Sequence, residues 1–428
     1  MAKFSIVTDE YDTEDDDEDK LSVGDLCRMF EESEDATLEP RDLSERDRDY
    51  VDNKQHTAEE IAALEKRGQP VVTDNRIKTK IDFLVGMEKQ QRIDPRALPR
   101  TPKHEEDADG ATQALRYIAD TEDFDMKRSA VWRNMLVEGA GGIRVYVEPS
   151  RKTYGGQQGQ QGMMGSTAYT QPEQQYDIKL GYVSWDRMFW DPHSSMSDFS
   201  DASYLGIVVW MDYSDALAKY PDGKEALDTT MAAATHTDTY DDKPKFGSWA
   251  DKKRKRVRIC QMWIRRDEEW FFAEFTKGGI LKAGPSPYKT DTGESDCELF
   301  FQSAFVNREN ERYGYVREMI SPQDEINKRR SKTLHALNTK QIFFLKGAFN
   351  NVEDARTQIA RPDGAIEINQ IVQGPISQQM ELVSNAEMSE GNFKLLVEAQ
   401  NAIHLKGPNA TMLGDKPHLR VRGRHDPS

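Results

Sequence analysis

Two clusters of cations carry the most distinctive chemistry in this 428-residue sequence: Lys252, Lys253, Arg254, Lys255 and Arg256, and then Lys328, Arg329, Arg330 and Lys332. Ammonium and guanidinium groups packed this closely can pair with carboxylates across an interface, or lie against phosphates without reading bases. The first run precedes a strand and reads as a solvated face. The second falls on a long helix, where residues 328, 329, 330 and 332 spread around the axis, so some must meet a neighbouring subunit or a lumen. Asp186 and Asp191 could hold magnesium for a nuclease, but carboxylates beside tryptophans more often cap turns. Lys289 and Thr290 lack the second glycine of a phosphate loop, and there is neither a G-x-S-x-G elbow nor an H-E-x-x-H pair. The eight histidines are scattered, and Cys27, Cys260 and Cys297 have neither metal-ligand spacing nor a disulfide framework. No residue is nominated as catalytic, metal-ligating or cofactor-binding, and no cofactor is expected.

The positions of charge and apolar pattern set the elements around these clusters. Formal charge is −17. Residues 1–60 hold 22 acids and 7 bases, whereas the rest is nearly balanced, with 53 acids and 51 bases. Nine acids fall in the eleven positions 9–19, a self-repelling block. Residues 1–44 are therefore expected to form a disordered acidic arm, with order beginning near Tyr50. No apolar run reaches the length that spans a bilayer, so no membrane is expected, and the cysteine usage suits a reducing cytoplasm.

Beyond the arm the pattern is α+β. Thr57 and Glu60 form a capping box for a short helix ending at Gly68. A helix over 75–91 carries the stripe Ile77, Ile81, Leu84 and Val85, and a longer helical stretch is expected over 110–139. Strands are expected at 143–148, 176–184, 204–211, 257–265, 269–275 and 297–306, with a flexible Gly- and Gln-rich loop at 151–175. A helical piece at 214–220 precedes a polar linker to about 251. The last quarter differs. Ser321 and Pro322 read as a helix start, giving a long helix over 321–340 with Ile326, Thr333, Leu334 and Leu337 on one face. A small α/β unit follows, with strands at 341–345 and 365–369 about a helix at 352–360 and a turn at 362–364. A second long helix, 384–406, carries Phe393, Leu396, Val397 and Ile403. Two long helices bracketing about 44 residues should be antiparallel, and they cannot bury their apolar faces alone. Partners are implied.

Several blocks, in order, resemble the portal proteins of short-tailed double-stranded DNA phages. The first are Thr57-Ala-Glu-Glu-Ile-Ala-Ala-Leu-Glu-Lys-Arg-Gly68, Asn75-Arg-Ile-Lys-Thr-Lys-Ile-Asp-Phe-Leu-Val-Gly86 and Arg92-Ile-Asp-Pro-Arg-Ala-Leu-Pro-Arg-Thr-Pro102. Arg187-Met-Phe-Trp-Asp-Pro192 is similar to an aromatic turn of the same body. Tyr313-Gly-Tyr-Val-Arg317 with Pro322-Gln-Asp-Glu-Ile-Asn-Lys-Arg-Arg-Ser331 resembles the approach to the family's first stem helix. Together they cover roughly residues 45–413. His56 stands where the family usually has tryptophan.

The resemblance implies a portal fold: a mixed α/β wing over 45–320, stem helices at 321–340 and 384–406, and a clip at 341–383. Residues 407–428 would begin the tunnel-loop region and then depart from the family from Leu419 onward, so the tunnel loop and crown are expected to be missing. It further implies a homo-oligomeric ring, most simply of twelve, at one capsid vertex of the virion, assembled in the host cytoplasm. Double-stranded DNA would pass through without sequence-specific contact. Terminase large subunit, a head-to-tail adaptor, and major capsid and scaffolding proteins would be partners. The protein would be structural and not an enzyme. Lys328, Arg329, Arg330 and Lys332 become candidates for the DNA channel or the subunit interface. A head-to-tail adaptor or scaffolding protein without a channel is the alternative, and a packaging nuclease or ATPase is disfavoured by the absent phosphate loop.

Overall fold

The computed structural model describes residues 5–6, 20–149, 176–233, 248–290, 292–338, 340–360, 365–369, 375, 380–384 and 386–406. In chain order the elements are β1 (Ser5–Ile6), β2 (Lys20–Leu21), α1 (Val23–Val51), α2 (Ala58–Lys66), α3 (Arg76–Gln90), α4 (Glu105–Thr121) and α5 (Phe124–Val137). There follow β3 (Ala140–Pro149), β4 (Tyr176–Val183), β5 (Met188–Trp190), β6 (Tyr204–Asp212), α6 (Tyr213–Lys219), α7 (Lys224–Ala233), β7 (Ala250–Asp251) and β8 (Arg256–Arg266). The remainder is β9 (Glu269–Thr276), β10 (Gly279–Pro285), β11 (Leu299–Ser303), β12 (Phe305–Val306), β13 (Arg312–Tyr313), α8 (Arg317–Asn338), β14 (Lys340–Phe344), α9 (Val352–Ala360), β15 (Met380–Ser384) and α10 (Ala386–Leu405). The class is α+β, as the sequence indicates.

Two compact units divide the chain. The first is Met1–Glu45 with Leu84–Tyr315, and the second is Arg46–Phe83 with Val316–Ser428. Packing thus separates residues 46–83 from the wing to which the sequence reading assigned them.

In the first unit, the antiparallel order β10-β9-β8-β6-β5, with β7 also on β8, is built around a strand that buries both faces. Side chains alternate across a strand. Val257 and Ile259 therefore reach Ala216, Tyr220 and Leu227 of α6, its C-cap and α7, while Trp263 packs with Leu299 and Phe301. On the other face Cys260, Met262 and Ile264 meet Leu26 and Phe30 of α1. A smaller sheet, β11-β3-β4, completes this unit's core.

Helix α1 overturns the expected disorder of residues 23–44; the acidic run 9–19 lies outside the described residues. Its buried stripe is Leu26, Phe30, Ser33, Thr37, Pro40, Ser44, Asp47 and Val51, a four-three repeat with few apolar members. The hydroxyl members are satisfied by backbone: Ser33 Oγ donates to Trp190 O (2.6 Å) and Ser44 Oγ to Glu138 O (2.9 Å). Arg258, 1% exposed, fixes the helix further. It pairs with Glu34 at 2.9 Å and lies 4.5 and 4.9 Å from the ring centroids of Phe30 and Trp249.

Other expectations shift by identifiable causes. The helix expected over 110–139 is two helices, broken at Asp123, whose φ of 49° is left-handed. The polar linker after 220 contains α7, whose Ala226 and Leu227 are buried. Edge strand β10 went unread because Gly279 and Pro285 bound a short, half-polar segment. The strand over 297–306 is split into β11 and β12, and the loop 151–175 lies outside the described residues. Tyr313-Gly314-Tyr315 has a packing reason. A Cβ on Gly314 would stand 2.3 Å from the Val137 carbonyl oxygen, and Tyr315 N–H donates to Leu136 O at 2.7 Å.

In the second unit the Thr57–Glu60 capping box is present on α2. Helix α8 begins at Arg317, four residues before the expected start, so Ser321 and Pro322 lie inside it. Proline cannot donate to the carbonyl four residues back. That carbonyl, Glu318 O, accepts instead from Lys406 Nζ at 2.6 Å. The contact joins the start of α8 to the end of α10, so the two helices run antiparallel. Lys80 Nζ also caps α10, on His404 O at 3.2 Å. Between the helices, β14 and β15 pair antiparallel from Lys340–Ser384 to Phe344–Met380. Ala348, Phe349 and Ala355 form a small core with Ile366 and Ile368. Residues 365–369 are not a strand. They pack irregularly, with Asn369 N–H on Ala348 O at 2.9 Å. The turn at 362–364 and the tail 407–428 lie outside the described residues.

Candidate nucleic-acid interface

The cations on α8 divide into two kinds. At 3.6 residues per turn, positions 328 and 332 stand about 40° apart on one side of the helix. Both lysines are exposed and join no ion pair among the described residues. The arginines are engaged. Arg329 Nε lies 2.7 Å from Glu325 one turn back, and Arg330 Nη1 lies 2.6 Å from Asp74. Of the four residues singled out by sequence, then, only the lysines are exposed without a carboxylate partner among the described residues.

What aims them is the opposite side of the helix. Gln323, Asn327 and Ser331 recur every four residues and are at most 1% exposed. Asn327 Oδ1 accepts Asp74 N–H at 3.0 Å, and its amide donates to Gln55 Oε1 at 2.7 Å. Gln323 accepts Arg76 N–H at 3.0 Å and donates to Asp74 O at 2.7 Å. Ser331 Oγ donates to Pro70 O, and Tyr50 OH donates to Asp324 at 2.6 Å. Below them Arg317 meets Asp47 at 3.0 Å. Burial outweighs that cation and holds the Asp47 carboxyl up at about 6. Buried polar groups must find partners, and here irregular backbone between residues 67 and 76 supplies them. Sequence reasoning missed Gln323, Asn327 and Ser331. Their signal was spacing, because residues four apart recur along one side of a helix.

Apolar surface on the same helices stays uncovered. Leu334, Leu337, Phe393 and Val397 are exposed, while Ile326, Leu396 and Ile403 are buried. The other basic run, residues 252–256, turns between β7 and β8. Lys252 donates to Ala232 O at 3.0 Å and Arg256 lies 3.6 Å from Asp212, in keeping with a solvated turn. Asp191 is a turn cap, accepting from the backbone N–H of His193 and Ser203. Among the described residues no group of His, Cys, Asp and Glu could hold a metal ion. No helix among them is long and apolar enough to cross a membrane.

No curated protein matches the chain. The family model described as phage P22-like portal protein matches residues 27–272 and 265–420, which is most of the sequence. The antiparallel helix pair around a small α/β insert had pointed there, and the chain belongs to the phage P22-like portal protein family, a structural family of the capsid vertex.

Proposed function

We propose that this chain is a portal subunit that closes, most simply as a dodecamer, into a ring around a channel for DNA packaging and ejection. In this reading α8 and α10 are the stem, and β14, α9 and β15 are the clip. Terminase large subunit and a head-to-tail adaptor dock on the ring, which sits among major capsid and scaffolding proteins. The observation that carries the reading is the uncovered apolar surface of the helix pair. Leu337 is 61% and Phe393 57% exposed, a pattern a lone subunit does not sustain but heterologous contacts around a closed ring remove.

Within the ring, Lys328 and Lys332 meet phosphate loosely or pair with a neighbour's acids. Arg329 and Arg330 hold the helix in place. The test is charge reversal in pairs. Lys328→Glu with Lys332→Glu leaves rings intact by mass photometry but lowers packaging or retention of DNA, and it reduces the salt slope of DNA binding by about one unit per lost phosphate contact. Rings that package normally would remove the lysines from the channel. A wild-type chain that stays monomeric at micromolar concentration across salt conditions would remove the ring, leaving the adaptor or scaffolding reading.

A further inference from the structure

A cavity of about 100 Å³ opens in the first unit, lined among others by Thr37, Arg41, Glu138, Trp185, Trp190 and Arg312. Roughly 10–15 Å³ of such space suffices for one water, so the cavity admits a group of several atoms. Its electrostatics are unusual. Arg312 is 4% exposed, and its guanidinium lies 4.5 Å from the Phe199 ring centroid and 5.6 Å from that of Trp190. It donates to Asn310 O at 2.7 Å and to Ser194 Oγ at 2.9 Å, yet its buried Nε–H has no acceptor. Arg41 reaches the same Trp190 ring at 5.2 Å and donates to Thr37 Oγ1 and Met188 O. Among the described residues neither guanidinium forms an ion pair. Asp201 and Asp191 favour the charge on Arg312, the former through Ser194, but burial outweighs them and lowers the guanidinium to about 10. Burial likewise lowers Arg41 against Glu34, Asp186 and Glu45. A buried guanidinium whose donors outnumber its acceptors is short of negative charge.

We infer that this cavity is a binding site for one small oxyanion, a phosphate or a carboxylate, held at the Arg312 end by the unused Nε–H, with Trp185 and Trp190 in its lining. Glu138 lines the same cavity, and its carboxylate disfavours an anion close to it. The test is equilibrium dialysis of the full-length protein with radiolabelled inorganic phosphate at fixed ionic strength, with acetate as competitor. The expected result is one saturable site per chain, half-filled near about 1 mM, as befits so small a ligand. Displacement by acetate extends the class to carboxylates; failure to displace confines it to phosphate. Arg312→Gln abolishes saturation, and Arg41→Gln weakens it about tenfold and serves if Arg312→Gln does not fold. Arg308→Gln, with a fully solvated side chain nearby in sequence, leaves it unchanged. Non-saturating uptake by the wild-type chain, or undiminished binding in a folded Arg312 or Arg41 variant, overturns the inference and leaves the cavity to water.

Discussion

Asn327→Ala should loosen the segment that aims the two lysines, and its cost follows from three hydrogen bonds. Asn327 is 1% exposed, accepts from Asp74 N–H and Gln323 Nε2, and donates to Gln55 Oε1. Truncation leaves the Asp74 N–H and the Gln55 oxygen without their partner; Gln323 keeps Asp74 O. Each buried group deprived of its bond costs about 1–3 kcal/mol. With some water entering the space vacated, the sum is about 3 kcal/mol. Local opening at this energy would speed amide exchange at Asp74 by roughly two decades. The measurement is hydrogen exchange across residues 67–76, read beside urea unfolding of the same protein. Gln55→Ala alone loses one of these bonds, so the double variant should cost about 1 kcal/mol less than the sum of the singles. An exchange rate at Asp74 changed by less than threefold, with stability within about 0.5 kcal/mol of wild type, would show that water replaces the amide at no cost and that the polar face does not hold the helix.

Arg258→Ala should destabilise the first unit by about 3–5 kcal/mol in denaturant unfolding, since it strands a desolvated Glu34. Pairing Glu34→Gln with Arg258→Met should recover much of that loss, and no recovery would locate the cost in the Phe30 and Trp249 contacts. Gly314→Ala should give a protein that expresses in inclusion bodies or melts several degrees lower, because its Cβ would meet Val137 O; unaltered melting would refute the contact. For pH, burial raises Asp201, but donors from Ser195, Ser194 and Met196 bring its carboxyl down to about 2. A depressed folded value means stability that is present above about 4 and lost as pH falls toward 2. After allowance for its exposure this is worth about 1 kcal/mol, so Asp201→Asn should be less stable than wild type at pH 5 and equal to it at pH 2, and a gap that persists at pH 2 would assign the loss to packing.

Legibility in the sequence followed apolar content closely. Strands β3, β4, β6, β8 and β9 could be read to within a few residues because their runs are rich in branched and aromatic side chains, which favour strands. The capping box on α2 could be read because its chemistry is local. The start of α8 could not. Serine and proline satisfy the rule for a helix start, but a lysine from the far end of α10 supplies the donor that Pro322 lacks, and that compensation is 88 residues distant. The lysines of the site could be located on the helix, and Arg329 has Glu325 one turn back, whereas the pairing of Arg330 depended on Asp74, which only folding brings near.

Helix α1 and helix α8 share one device, and it explains both the largest misreading and the surface left for partners. Each carries hydroxyl or amide side chains where a helix ordinarily carries leucine: Ser33, Thr37 and Ser44 on one, Gln323, Asn327 and Ser331 on the other. Charge density therefore made residues 23–44 look unable to bury anything, although hydroxyls bound to backbone count as buried surface. Side chains of this kind reach backbone carbonyls and amides directly, so they dock a helix on an irregular loop or a strand end, where apolar packing offers no unique register. Hydrogen bonds to backbone are directional, and a helix that slips by one residue loses all of them together. Fastening α8 this way spends few of its apolar residues inside the subunit. Leu334 and Leu337 on α8, and Phe393 and Val397 on α10, are then available to neighbours. Under the proposed function, a helix pair that must be both fixed in its own subunit and adhesive toward others is served by this division, with polar bonds setting position and apolar surface supplying association.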